Sequence, residues 1–120
     1  MEIQTRLSDQ IARYLDLTTD EAKLTAANMA NVDTPGYRTL GIRFEAEMRG
    51  AMLALDRGGA PSALRVMQVD GLIARPDGNN VSMDREGLNL AEEQLKFKAG
   101  VTFLREEYQR VTDAIRADSK

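Results

Sequence analysis

The chain has 120 residues, room for one domain with a modest core. Histidine and cysteine are absent, which removes the commonest general base, the thiol nucleophile, disulfides and the best transition-metal ligands, and with them most hydrolase chemistry. The 16 basic and 19 acidic residues are interspersed and sum to −3, so no basic tract offers itself to nucleic acid.

Aromatic residues make up only 5% and tryptophan is missing, a composition that suits long helices better than a sandwich. From the N-terminus the positions Ile3, Leu7, Ile11, Tyr14, Thr18, Ala22, Thr25 and Met29 recur in steps of three and four, which predicts a long helix with one apolar face. Leu15, Leu17, Leu24 and Ala27 fall beside this stripe, so the face is wider than one partner requires. Asn31 is expected to end the helix in a left-handed conformation, and Pro35-Gly36 to make a type II turn. Leu40, Ile42 and Phe44 alternate as in a short strand, after which Phe44, Met48, Met52 and Leu55 return to a period of four and predict two to three helical turns.

Gly58-Gly59 and Pro61 mark a loop. The segments 65–69 and 72–75 flank Asp70-Gly71, a two-residue link that predicts a β-hairpin. Pro76-Asp77-Gly78-Asn79-Asn80 is a further turn cluster. Its Asp and Asn oxygens start like a calcium loop, but Val81 and Leu88 stand where ligands would be needed.

Ser82 or Asp84 can cap a second long helix that persists to about Ala117. Within it Leu90, Gln94, Phe97, Val101, Leu104, Tyr108, Val111 and Ile115 alternate steps of four and three, a heptad seam interrupted by Gln94. Leu88, Ala91, Leu95 and Ala99 add a neighbouring stripe. The pairs Glu92-Glu93 and Glu106-Glu107 are expected on a solvated face beside Lys96 and Arg110.

The expected fold is mostly α: an N-terminal helix in 1–32, an irregular middle with a β-hairpin in 33–83, and a C-terminal helix in 84–120. The two long helices form a coiled-coil-like pair. Each buries one stripe and keeps another for protein partners. No convergent acid, base and nucleophile is visible, so no enzymatic activity, cofactor, metal or small-molecule substrate is expected. No apolar run is long enough to span a membrane, and the first residues lack the order of a cleaved signal peptide.

The segment Ala27-Asn28-Met29-Ala30-Asn31-Val32-Asp33-Thr34-Pro35-Gly36-Tyr37-Arg38 resembles the N-terminal signature of flagellar rod and hook proteins, in which a helix runs into a T-P-G-Y turn. Asp77-Gly78-Asn79-Asn80-Val81-Ser82-Met83-Asp84-Arg85-Glu86, followed by Leu90-Ala91 and Gln94-Leu95, looks like the corresponding region of the proximal rod proteins of the FlgB family. Met29 departs from the isoleucine usual in the family, and residues 45–75 carry no matching motif.

The resemblance implies a structural subunit of the periplasmic basal-body rod, exported through the flagellar type III gate without a cleaved signal peptide. It also implies terminal helices that assemble with other copies, other rod subunits and the basal-body base. Phe44 and Met48 have the spacing of the gate-recognition motif in such substrates, and also the spacing of two packed residues on a short helix. Asn28, Asn31, Asp33, Thr34, Pro35, Gly36 and Tyr37 would shape the turn. Asn28 and Asn31 are expected to bond freed helix-end carbonyls, Asp33 to gather local amides, and Tyr37 to pack back on the helices. A soluble coiled-coil adaptor or export chaperone stays open as the alternative, distinguished by a closed oligomer where a rod subunit makes open, heterologous contacts.

Overall fold

The computed structural model describes residues 4–119. In chain order it consists of helix α1 (Arg6–Ala30), strand β1 (Leu40–Gly41), helix α2 (Phe44–Asp56), strand β2 (Met67–Gln68) and helix α3 (Met83–Asp118). Ile3, expected at the start of the first apolar stripe, lies outside the described residues.

Helix α1 starts with a capping box, in which Thr5 Oγ1 accepts from Ser8 N at 3.0 Å and Ser8 Oγ accepts from Thr5 N at 2.9 Å. It ends at Asn31, but not through a left-handed residue. Asn31 has φ −103° and ψ 17°, and its side-chain Nδ2 donates to Ala27 O at 2.8 Å, so a side-chain amide joins the Asn31 backbone N–H on the same carbonyl. Ser82 caps α3 by accepting from Arg85 N at 3.3 Å, and Asp84 and Glu86 put negative charge in its first turn.

The two long helices run antiparallel. Thr5 at the start of α1 meets Glu107 of α3, and Asn28 near its end meets Glu86. Helix α2 packs on α1, with Leu17 and Ala51 both buried and Tyr14 set edge-on to Phe44 at 5.7 Å between ring centroids. The molecule measures 70 × 28 × 21 Å, and its radius of gyration of 18.5 Å exceeds the roughly 14 Å of a compact domain of this length. The length comes from α3, whose 36 residues rise about 54 Å.

The expected mostly α architecture, with long terminal helices paired and a small β element between them, is the one observed. The strand partners differ. Instead of a hairpin across Asp70-Gly71, β2 pairs antiparallel with β1, Leu40 opposite Gln68 and Gly41 opposite Met67. Gly71 does turn the chain, with φ +81°, but the next segment is claimed elsewhere: Arg75 N donates to Asn79 O at 2.8 Å and the Arg75 guanidinium reaches Val32 O and Val81 O. Val69 N therefore finds Thr39 O at 2.9 Å. Close approach there depends on Gly41, because a Cβ would stand 3.0 Å from Val69 Cγ2.

Candidate assembly interface

The interface is built on a joint between the two segments that carry the sequence signatures. Pro35-Gly36 turns the chain as expected, with Gly36 at φ +76° and Tyr37 N donating to Thr34 O at 3.2 Å. Segment 77–81 then docks against the turn, where Gly36 N donates to Asp77 O at 2.9 Å. Asn79 is fully buried and links both sides: its Nδ2 donates to Asn31 O and Thr34 O, each at 2.8 Å, while Oδ1 accepts from Val81 N at 2.8 Å. Asn80 Oδ1 accepts from Thr39 N at 2.7 Å and from Thr39 Oγ1 at 2.9 Å. Buried amides survive here because their donors and acceptors are matched.

Asn28 has a different task from the one expected. It leaves the helix-end carbonyls alone and presents its amide to β1, donating to Leu40 O at 2.8 Å and accepting from Leu40 N at 3.0 Å, as a strand neighbour would. Tyr37 does pack back, donating from its hydroxyl to Asn28 Oδ1 at 2.9 Å. Burial raises the Tyr37 pKa above its ordinary value, and the Glu86 charge adds to the shift. Thr34 Oγ1 donates to Asn31 Oδ1 at 3.1 Å. Asp33 is exposed and gathers no amide among the described residues; Asp77 does that work, accepting from Asn79 N at 3.0 Å.

Helix α3 docks on α1 along a line the apolar pattern did not pick out. Its buried residues are Glu86, Glu93, Gly100 and Glu107, one every seven positions. Each glutamate meets a polar side chain of α1. Asn28 Nδ2 donates to Glu86 at 3.3 Å, Thr25 Oγ1 to Glu93 at 2.5 Å, and Thr5 Oγ1 to Glu107 at 2.9 Å. At Gly100 the helices approach closely, since a Cβ there would lie 2.6 Å from Leu15 Cδ2. Polar layers at heptad positions fix register, because sliding by one heptad, about two turns, would set Glu93 or Glu107 against Leu15.

This corrects the placement of the acidic pairs. Glu93 and Glu107 are 3% and 7% exposed, and only their neighbours Glu92 and Glu106 face solvent. Lys96 pairs across the helices with Glu21 at 3.2 Å and sits over the Phe44 ring at 4.0 Å. Arg110 does pair with Glu107, at 3.3 Å. Glu93 Oε2 is buried without a hydrogen-bond partner among the described residues, and burial raises the Glu93 pKa, Thr25 opposing the shift.

The expected seam lies to one side of this line. Leu90, Val101, Leu104 and Val111 are half-buried, while Gln94, Phe97, Tyr108 and Ile115 are exposed. On α1, Ile11 is buried, Tyr14 half-buried and Leu7 exposed. Beside Thr18, Thr19 and Ala22 of α1, the seam residues Leu90, Phe97 and Val101 line an apolar groove of about 510 Å³. A third helix is what such a groove between two helices accommodates. Phe44 is held between Tyr14 and Lys96, and Met48 is half-buried on α2.

Curated relatives of the chain are named as flagellar basal body rod proteins. The chain is 34% identical to the flagellar basal body rod protein FlgB of Salmonella typhimurium, in a 108-residue alignment covering 75% of this chain and 78% of the relative. It is 32% identical to the FlgB of Borrelia hermsii, covering 72% and 78% of the two chains, and 28% identical to that of Escherichia coli, covering 75% and 78%. No family model matches. On the strength of these relatives, the chain belongs to the FlgB family of flagellar basal-body rod proteins.

Proposed function

We propose that this chain is a structural subunit of the bacterial flagellar basal-body rod, and that it joins its neighbours through the apolar face of α3 beside the α1–α3 contact. The relatives are rod proteins by name, and the structure is an elongated helical body. The observation that carries the reading is the exposure of Phe97, Tyr108 and Ile115 on a heptad pattern that the intramolecular contact leaves free. Burying such a face contributes on the order of 25 cal/mol per Å² before ordering costs, so assembly gains from covering it.

In this reading the joint of 31–37 with 77–81 sets the angle at which the middle region leaves the helices. Asn28, Asn31, Thr34, Gly36 and Tyr37 hold the turn, Pro35 presets it, and Asp33 is free to meet a neighbour. Other copies, other rod subunits and the base of the basal body are the partners, in the periplasm. Phe44 and Met48 serve recognition at the export gate only when α2 is released, because Phe44 is otherwise occupied by Tyr14 and Lys96. The role is scaffolding, without catalysis.

The test replaces Phe97 and Ile115 by lysine in the bacterium that encodes this chain. The variant should keep its helical circular dichroism and be exported, yet leave rods incomplete and cells non-motile. Normal rods and normal motility would contradict the assignment of this face.

A further inference from the structure

We propose that Asp70 is a site of isoaspartate formation, its carboxyl closing on the Gly71 amide through a succinimide, and that the fold leaves this site open while holding Asp77 closed to the same chemistry. The reaction proceeds whether or not the chain is a rod subunit. An aspartate rearranges when its Cγ can reach the backbone nitrogen of the next residue, and glycine at that position leaves the approach uncrowded. The chain has two Asp-Gly pairs, Asp70-Gly71 and Asp77-Gly78, and no Asn-Gly pair.

The two pairs differ in what their backbones are bonded to. Val69 N donates to Thr39 O and Arg75 N to Asn79 O, but between these anchors residues 70–74 neither give nor accept a backbone hydrogen bond among the described residues. Asp70, Gly71, Ile73 and Ala74 are exposed, Ile73 at 92%. A segment so exposed and unbonded opens at little cost. The Asp70 carboxylate has no hydrogen bond or ion pair among the described residues, and beyond its chain neighbours no atom lies within 4 Å of where a Gly71 Cβ would stand. At Asp77 both reacting groups are engaged. Gly78 N donates to Arg75 O at 2.8 Å, and Asp77 Oδ1 accepts from Asn79 N at 3.0 Å. Asp77 O also accepts from Gly36 N at 2.9 Å, so closing a ring there requires opening the joint of 31–37 with 77–81.

In the first step Gly71 N gives up its proton to solvent and bonds to Asp70 Cγ, and an oxygen of the neutral carboxyl leaves as water. Water then adds to one of the two imide carbonyls. Opening at Asp70 Cγ restores aspartate. Opening at the main-chain carbonyl carbon of Asp70 leaves the chain running through Cβ and Cγ, with a free α-carboxylate. No oxidant or cofactor is consumed, the mass is unchanged, and the main chain between β2 and Arg75 gains one atom. The product belongs to the substrate class of S-adenosylmethionine-dependent carboxyl methyltransferases that act on isoaspartate.

The test ages the purified full chain in mildly acidic buffer at physiological temperature, then denatures it and digests it with a protease that cuts before aspartate but not before isoaspartate. The cut before Asp70 should be lost roughly tenfold faster than the cut before Asp77, a factor that one hydrogen bond of ordinary net strength supplies, with no change in intact mass. In guanidinium chloride, where the fold no longer protects Asp77, the two rates should converge. Methyl transfer by an isoaspartate carboxyl methyltransferase should label the aged chain. Labelling should fall toward that of fresh chain in Asp70→Glu, whose longer side chain closes the larger imide far more slowly. Equal loss at Asp70 and Asp77 in the folded chain, a difference that persists unchanged in guanidinium chloride, or undiminished labelling of aged Asp70→Glu would each overturn the proposal.

Discussion

Replacing Glu93 by glutamine should stabilise the fold at neutral pH and make it less sensitive to pH. Glu93 is 3% exposed, its Oε1 accepts from Thr25 at 2.5 Å, and its Oε2 has no donor among the described residues. The charges that face it are Glu21 from α1 and Glu86 and Lys96 from α3, and Lys96 is engaged with Glu21. Burial raises the folded pKa above the unfolded one, so between the two values the native state binds more protons than the unfolded state. Stability therefore falls as pH rises through that interval and levels off above it. A buried charged oxygen without a donor costs on the order of 1–3 kcal/mol. Glutamine keeps an acceptor for Thr25 and offers an amide to the carboxylates nearby. The expected gain is about 1–2 kcal/mol at pH 7.5, or roughly 3–8 °C in Tm, shrinking toward zero near pH 4. Thermal melts of both proteins by circular dichroism across this range read it directly. A glutamine variant that is less stable at pH 7.5, with the pH slope of the parent retained, would refute the reasoning.

Three further substitutions probe the joint and the helix contact. Asn79→Ala strands the buried Val81 N and takes one of two donors from Asn31 O and from Thr34 O, and should cost about 2 kcal/mol, visible in urea denaturation and in faster amide exchange at Val81. Gly100→Val drives a side chain into Leu15 and Tyr14 and should destabilise by about 2–3 kcal/mol; an unchanged urea midpoint would mean that α1 and α3 are further apart than described. Gly36→Val meets no atom within 4 Å but cannot adopt φ +76° without strain of about 1–2 kcal/mol. It should leave the chain folded and exported while blocking rod assembly, and unchanged motility would contradict that.

Helix ends and turns were legible because their chemistry is local. Ser82 caps α3, Pro35-Gly36 turns the chain, and the period of four from Phe44 to Leu55 marks α2, each from side chains within a few residues. The choice of strand partner was not legible, because Asp70-Gly71 makes its turn whether or not the flanks pair, and Arg75 and Asn79 decide the matter from outside that window. Apolar periodicity in α3 identified surface that must be covered, but not by which helix. The contact with α1 instead follows Glu86, Glu93, Gly100 and Glu107, since Asn28, Thr25 and Thr5 present donors there and Gly100 admits Leu15. That seven-residue spacing was readable, yet buried glutamates are expected only when their partners are known. The amides of Asn79 and Asn80 read as turn residues for the same reason, because the groups they satisfy lie more than 40 positions away.

Imaging of assembled basal bodies at side-chain resolution, in the bacterium that encodes the chain, tests the assembly account most directly. The account predicts this chain in the rod, with Phe97, Tyr108 and Ile115 within about 4.5 Å of a neighbouring subunit. A rod without this chain, or a chain whose α3 face is open to solvent in the finished rod, would contradict it.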